Sequence, residues 1–281
     1  MTGRRSDTWR PGWPEGFHKS RRRPRRAPRL RAMAIRWMMA LWDFPPETFE
    51  SATMFWTRVT GANLSEPYGS NNEYAALRPQ RGDSCLWVQR LRSGDAANHL
   101  DLLVDDVAAA TAHAERLGAT VVHEAEEGLV VLRSPGALPF CLVRHEGQSR
   151  VPDPVEWPGG QLSIADQICI DVPPERYQRE LRFWEEFTGR SRLPGEPSEF
   201  ERLERPEGMP LEILFQRLGE DEPGEPVRAH IDLACSDVEA ETARHRELGA
   251  VPLERFEQWQ VLRDPAGLEY CITARVPKPA A

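Results

Sequence analysis

The sequence lacks several features that mark common protein classes. No apolar stretch approaches the roughly 18–20 residues that a membrane-spanning helix needs, so we expect no membrane partner. The five cysteines are scattered and form no CxxC pair. That pattern argues against a disulfide framework or a zinc ribbon and favours a reducing cytoplasm. A glycine-rich phosphate loop, a GxSxG nucleophile elbow and an HExxH helix are also missing, so the enzymes that use them find no support here.

The excess of positive charge is confined to the start of the chain. Residues 1–32 hold eleven Lys and Arg against two acidic residues, which leaves a net charge of about −17 on the remainder. Because affinity for phosphates comes mainly from basic charge, we expect no nucleic-acid partner for this acidic body. Residues 1–32 are rich in Arg and Pro without a hydrophobic period, which predicts a disordered tail. They are either a natural tail or an extension upstream of a start at Met33.

An internal repeat sets the domain organisation. Residues 98–119 read NHLDLLVDDVAAATAHAERLGA and residues 229–250 read AHIDLACSDVEAETARHRELGA, with half of the positions identical. Two further blocks match in the same order, 43–62 with 171–190 and 130–143 with 260–273. Matching blocks at a nearly constant offset indicate a duplicated domain. We therefore predict a first domain at 33–148, a Pro- and Gly-rich linker at 149–160 and a second domain at 161–277.

Each copy shows the same order of predicted elements, a strand, a helix and more strands, twice over. In the first copy, Pro45 and Pro46 are expected to open a helix that Gly61 ends. The remaining predicted elements of this copy are strands at 35–43, 74–77, 85–91 and 99–104, a helix at 107–117, and strands that end at Val143. The second copy repeats them with a strand at 168–171, a helix at 175–187, a strand at His230 and a helix at 238–248.

The repeated blocks resemble a known family. FWxxxTG, WVQRL and LFQRL, HLDLLVDDV and HIDLACSDV, and LRDPAGLEYC together resemble the glyoxalase-like branch of the vicinal oxygen chelate superfamily, which also includes bleomycin resistance proteins. The resemblance covers roughly residues 35–146 and 162–276. It implies an α+β fold of tandem glyoxalase-like domains, each built of two βαβββ modules whose sheet forms a cup with the helices outside. It also implies a monomer whose two domains pack as an intramolecular pseudo-dimer, with any ligand or metal inside the cups.

In metal-dependent members of that superfamily, four strand positions supply the ligands. The matching residues are Met39, Gln89, His99 and Cys141 in the first copy, and Gln167, Gln216, His230 and Cys271 in the second. None is a carboxylate, the ligand that hard divalent ions prefer, so we expect no metal cofactor in general. The second set still offers four donors, and zinc accepts thiolate and imidazole. A zinc or iron ion held by Gln167, Gln216, His230 and Cys271 is therefore left open.

Strand alternation adds further candidates for the cups. Asp101 and Asp232 follow the two histidines by two residues, and Trp87 precedes Gln89 by two, so each pair shares a face. The predicted ligand-binding residues are Trp87, Gln89, His99, Asp101, Cys141, Gln167, Gln216, His230, Asp232 and Cys271. Alternatively, the cysteines are small core hydrophobes and the aspartates are solvated. Trp56 and Trp184 are predicted to anchor their helices in the core rather than to stack on a ligand.

Three functions follow from this reading. The first is a small-molecule-binding protein that works without the usual divalent metal. The second is a lyase, an isomerase or a dioxygenase that acts through a residual metal site in the second domain. The third is an interaction module whose cups are vestigial. Because one fold hosts many activities, the chemistry of the site has to decide among them.

Overall fold

The structure is a computed structural model that describes residues 34–124, 128–220 and 226–277. The predicted tail at 1–32 lies outside the described residues. Within the described ranges, no helix is both long enough and apolar enough to cross a membrane.

The first half contains two strand-helix-strands units in one sheet. Its elements are β1 (Ile35–Phe44), α1 (Phe49–Thr60), β2 (Asn63–Leu64), β3 (Tyr74–Arg78), β4 (Leu86–Arg90), β5 (Ala97–Val104), α2 (Val107–Arg116), β6 (Thr120–Glu124), β7 (Leu129–Arg133) and β8 (Pro139–Arg144). The strand order is β2-β3-β4-β1-β5-β8-β7-β6. Strand β1 pairs parallel with β4 and antiparallel with β5, so the two units meet at the centre of the sheet.

The second half repeats this topology. Its elements are β9 (Val155–Glu156), β10 (Leu162–Val172), α3 (Pro174–Thr188), β11 (Arg192–Pro194), β12 (Phe200–Leu203), β13 (Glu212–Arg217), β14 (Arg228–Cys235), α4 (Val238–Glu247), β15 (Val251–Arg255), β16 (Trp259–Arg263) and β17 (Glu269–Thr273). The order β11-β12-β13-β10-β14-β17-β16-β15 corresponds strand for strand to the first sheet. The short β9 lies within the predicted linker and pairs with the start of β10, so part of the connection joins the second sheet. The α+β fold of two tandem halves is confirmed.

Helix ends follow local sequence signals. The side chains of Asp106 and Asp237 accept hydrogen bonds from the backbone N–H groups of Ala109 and Ala240, which caps α2 and α4. Gly61 takes the left-handed conformation at the end of α1, as predicted. The start of α1 differs from the prediction. The backbone N–H groups of Thr48 and Phe49 both bond to the carbonyl of Pro45, and this turn delays the helix to Phe49.

Each half contains one buried tryptophan that is linked by hydrogen bonds, directly or through a carboxylate, to the other half. Trp56 of α1 stacks on Trp42 with ring centroids 4.1 Å apart, and its indole N–H donates to Asp264 of the second half at 2.8 Å. In α3, Trp184 donates to Glu180 at 2.8 Å, and Glu180 accepts the backbone N–H of Gly136 from the first half at 2.7 Å. Both tryptophans are completely buried. These reciprocal contacts are consistent with an intramolecular pseudo-dimer.

A third contact links the halves through an arginine. Arg244 of α4 donates to the backbone carbonyls of Arg58 and Val59 at the end of α1, at 3.2 and 2.9 Å. Its guanidinium also lies 3.5 Å from the ring centroid of Trp157, which follows β9. A cation at a helix C-terminus stabilises the unpaired carbonyls there. The connecting segment, α1 and α4 are therefore held at one place.

Candidate functional site

Strand register places the predicted site residues on one face of each sheet. Trp42 points at α1, so its neighbours Leu41 and Asp43 point to the opposite, helix-free face. Paired residues in adjacent strands share a face. In the first half, Met39 lies opposite Asp101, Asp101 opposite Cys141, and Asp43 opposite Gln89. In the second half, Gln167 lies opposite Asp232, Asp232 opposite Cys271, and Asp171 opposite Gln216. We call these two faces cup one and cup two.

In cup one, a histidine lies between two carboxylates. His99 Nδ1 is 2.8 Å from Asp43 Oδ2, and His99 Nε2 is 3.2 Å from Asp101 Oδ1. The Cys141 Sγ completes a group in which the donor atoms of His99, Asp101 and Cys141 lie within 4.8 Å of one another. The cluster is sealed from solvent, because the His99 side chain is only 3% exposed and the Asp43 side chain is fully buried.

Cup two repeats the cluster and leaves it more open. His230 Nδ1 is 3.2 Å from Asp171 Oδ2, and His230 Nε2 is 3.2 Å from Asp232 Oδ1. The Cys271 Sγ lies 3.7 Å from the same Nε2. The His230 side chain is 14% exposed, so it is reached more easily than its counterpart in cup one. A second thiol, Cys169, groups with Asp171 and His230 on the other side of the ring.

The carboxylates make both cups favourable for a positive charge. Burial alone lowers the pKa of His99, but Asp43 and Asp101 outweigh it and raise that pKa well above its ordinary value. The pKa of His230 is likewise raised well above its ordinary value, chiefly by Asp171 and also by Asp232, against the effect of burial. Burial raises the pKa of the Cys141 thiol to about 12 and that of Cys271 to about 11. Each cup therefore stabilises a proton, or another cation, beside its histidine.

Three residues beside the histidines, Asp43, Asp171 and Cys169, were missed by the sequence reading. Asp43 and Asp171 open the matching blocks DFPPE and DVPPE, and they share the cup face with Met39 and Gln167, four residues earlier. That alternation, followed along β1 and β10, was the available signal. The missing information was that each of these aspartates reaches the histidine of the neighbouring strand.

Two of the three predicted glutamines, Gln89 and Gln167, bond to residues outside the histidine clusters. The Gln167 amide donates to Glu212 Oε2 at 2.7 Å, and the Gln89 amide donates to the Tyr74 hydroxyl at 3.3 Å. Gln216 lies opposite Asp171 in the sheet and is half-buried. The predicted wall residue Trp87 contacts Tyr68 edge to face, with centroids 5.4 Å apart. Tyr68, Trp87 and Ala76 help to line a cleft of about 390 Å³ beside β3 and β4 of the first half.

Aromatic rings line one side of the mouth of cup two. Phe200 of β12 contacts Trp259 of β16 edge to face at 5.7 Å, and Phe256 stacks on Trp259 at 4.4 Å. Phe200 pairs with Gln216, and Trp259 pairs with Thr273, so both rings lie on the cup face. Four strands separate β12 from β16 in the sheet, so this contact requires the sheet to curl around the His230 cluster. Cup two therefore combines a polar base with an aromatic rim.

The donor set of cup two fits a zinc-type ion. Metal bonds of about 2.0–2.3 Å in tetrahedral geometry place donor atoms about 3.3–3.6 Å apart. The separations from His230 Nε2 are similar, 3.2 Å to Asp232 and 3.7 Å to Cys271. Asp232 Oδ1 is buried and accepts no hydrogen bond from the described residues. The set fits iron less well, because the facial triad of non-haem iron oxygenases needs two histidines and this cluster contains one.

Comparison with known proteins supports the duplicated fold. The sequence model of the family described as a glyoxalase-like domain matches residues 44–143 and again residues 167–273. No curated protein sequence matches the chain.

Solved structures of similar fold include ring-cleaving enzymes. The chain is 13% identical to 2,2',3-trihydroxybiphenyl 1,2-dioxygenase from Sphingomonas wittichii, with a TM-score of 0.57 over 86% of this chain and 90% of that chain. It is 15% identical to a variant of homoprotocatechuate 2,3-dioxygenase from B. fuscum, with a TM-score of 0.59 over 89% of this chain and 74% of that chain. A xylose isomerase-like TIM barrel/4-hydroxyphenylpyruvate dioxygenase fusion protein matches with a TM-score of 0.57 at 13% identity. That match includes 89% of this chain but only 50% of the fusion protein, so this chain spans about half of its length. At these identities the likeness shows the fold alone.

Proposed function

Because the chain belongs to the glyoxalase-like domain family, with one copy of the domain in each half, we propose that it binds a small molecule in cup two beside a zinc-type metal ion. The observation that carries the proposal is the convergence of His230, Asp232 and Cys271, whose donor atoms lie within 4.8 Å of one another. The proposal departs from the metal-free cup expected from the sequence. The reason is that Asp232, which lies outside the four family positions, supplies the carboxylate that those positions lack.

Each residue of the cluster has a distinct role in this proposal. His230, Asp232 and Cys271 would hold the ion. Asp171 accepts a hydrogen bond from Nδ1 of His230 and so fixes the orientation of the imidazole. A zinc ion held there would act as a Lewis acid towards an oxygen of the bound ligand. The aromatic rim of Phe200, Phe256 and Trp259 packs against an apolar ligand and limits the access of water.

Turnover as a lyase or isomerase is the second candidate function. The buried carboxylates of Asp171 and Asp232, beside the metal ion that the cluster would hold, favour acid–base chemistry on a bound ligand. A dioxygenase activity has the support of similar folds among the solved structures, but the single histidine of the cluster does not match the iron triad. The reading as a vestigial module is least favoured for cup two, since His230 retains access to solvent.

Cobalt titration of the full chain tests the metal site. Co²⁺ replaces zinc in tetrahedral sites, and a thiolate ligand gives it an intense charge-transfer absorption in the near ultraviolet. We expect this band to develop to one equivalent in the unaltered chain and to disappear in Cys271→Ser and His230→Ala. The matched variant Cys141→Ser in cup one should keep it. A chain without the band, or a band that persists in Cys271→Ser, would overturn the proposed site.

A further inference from the structure

One charged residue distinguishes the rim of cup two from that of cup one. Arg228 begins β14 opposite Asp171, and it shares the cup face with His230 two residues later. Its Nε donates to Asp171 Oδ2 at 3.0 Å, and its side chain is 52% exposed. The position that matches Arg228 in cup one, opposite Asp43, is occupied by Ala97. Only cup two therefore has a cation at this point of its rim.

The guanidinium of Arg228 has donors left for a ligand. Arginine carries five N–H donors in a planar fork, and four of them are on the terminal nitrogens. Among the described residues, the only hydrogen bond of the Arg228 side chain is the one from Nε to Asp171. Asp171 thus fixes one edge of the guanidinium and leaves the terminal nitrogens at the mouth of the cup. A carboxylate is the group that such a fork binds with two parallel hydrogen bonds.

The charges of the two cups differ accordingly. In each cup, two aspartates outnumber the one histidine, and in cup two the proposed zinc ion with a Cys271 thiolate would still leave one net negative charge, so an anion that approaches either cluster is repelled. Arg228 offsets one of these negative charges in cup two, whereas the alanine in cup one offsets none. An anionic group is therefore tolerated at the rim of cup two only, on the side where Arg228 lies.

The aromatic rim supplies the other half of the recognition. Phe200, Phe256 and Trp259 lie on or beside the same face and present apolar rings. A ligand that contacts both the rings and the guanidinium needs a flat or apolar body that carries a carboxylate. We infer that the ligand of cup two is an aryl-bearing carboxylic acid whose carboxylate pairs with Arg228. This inference rests on the proposed function, because it takes cup two as the binding site.

Matched acids and amides test this inference. The probes are benzoate, phenylacetate and 3-phenylpropionate, each compared with its primary amide, so that ring-to-carboxylate distance varies while shape is kept. Binding to the full chain is measured by ligand-observed NMR and calorimetry in the presence of zinc. We expect at least one acid to bind ten or more times as tightly as its amide. Arg228→Gln should abolish that preference, and Arg246→Gln, at an exposed arginine on α4, should keep it.

The cobalt band separates the failure of this inference from failure of the proposed function. Arg228→Gln should lose the preference for acids while it still develops the band, since Arg228 is not a metal ligand. If every acid binds no better than its amide, or if Arg228→Gln retains the preference, the inference is overturned and the metal site is unaffected. If the unaltered chain develops no band, the proposed metal site fails, whatever its preference for acids.

Discussion

The two cups share one frame and differ in access. Both contain a histidine between two aspartates with a cysteine beside it, yet His99 is 3% exposed and His230 is 14% exposed. Leu41 in cup one occupies the place of Cys169 in cup two, since each lies opposite the histidine of its half. Ala97 likewise corresponds to Arg228. The same polar cluster can therefore serve as a sealed part of the core in one copy and as a reachable site in the other.

The largest difference is expected when the two histidines are removed in turn. His99→Ala removes the imidazole that lies between two buried carboxylates, and breaking a buried charged pair in this way costs about 3–5 kcal/mol. His230→Ala should cost less, about 1–3 kcal/mol, because solvent reaches the group that it leaves behind. Urea unfolding of both variants with a chelator present measures the difference. Equal losses of unfolding free energy would contradict the distinction between a sealed cup and an open one.

A smaller effect concerns the carboxylates that hold the tryptophan anchors. Asp264, in a turn, accepts from Trp56 and from the backbone N–H groups of Ala266 and Leu268, whereas Glu180, within α3, accepts from Trp184 and Gly136. By sequence match, Glu180 corresponds to Ala52. We expect Asp264→Ser to cost about 1–3 kcal/mol, because it removes the acceptor of the buried indole.

The two arrangements should be interchangeable. The residue that corresponds to Asp264 in the first half is Ser134, which lies in the turn that Glu180 contacts. The Glu180 arrangement also needs a glycine, since a Cβ on Gly136 would lie 2.7 Å from Glu180 Oε2, and the matching residue of the second half is Ala266. Adding Ala52→Glu and Ala266→Gly to Asp264→Ser therefore reproduces the Glu180 arrangement beside Trp56 and should restore part of the lost stability. Thermal unfolding of the single and triple variants measures this. A triple variant that is less stable than Asp264→Ser alone would show that the two interfaces are not equivalent.

The smallest expected effect is confined to acid solution. Burial raises the pKa of Glu241 in α4, but hydrogen bonds from Arg244 and His245 outweigh it and lower that pKa to about 2. A carboxylate with a lowered folded-state pKa contributes stability above its ordinary pKa of 4.5, and this contribution is lost as pH falls towards about 2. The corresponding residue of α2 is Ala110, so the first half has no such contribution.

We therefore expect Glu241→Gln to flatten the fall of unfolding free energy between about pH 4.5 and pH 2. Chemical denaturation at several pH values, with the unaltered chain in parallel, measures the slope. Parallel pH profiles for the two proteins would show that Glu241 contributes nothing to acid sensitivity.

Much of the fold could be predicted from the sequence, because its signals are local or repeated. Helix caps at Asp106 and Asp237 depend on residues three positions apart, and the duplicated blocks indicated two equal halves. The short β9 was not predicted, since two residues carry no periodic pattern. The start of β10, six residues before the predicted strand, was also missed.

The candidate site was predicted less completely because it depends on register between distant strands. Alternation predicted that Asp101 and Asp232 share a face with the histidines, and their carboxylates lie 3.2 Å from His99 Nε2 and His230 Nε2. The partners of Asp43 and Gln167 could not be predicted from alternation, because they are distant in the sequence. Asp43 contacts His99, 56 residues away, and Gln167 contacts Glu212, 45 residues away. Such pairs become visible only when the strands are aligned.

The zinc content of the full chain tests the central claim most directly. The protein would be saturated with zinc, dialysed exhaustively and measured by plasma mass spectrometry, together with Cys271→Ser and Cys141→Ser. We predict one zinc per chain in the unaltered protein and in Cys141→Ser, and none in Cys271→Ser. Absence of zinc from the unaltered chain, or its loss in Cys141→Ser with retention in Cys271→Ser, would contradict cup two as the metal-binding site.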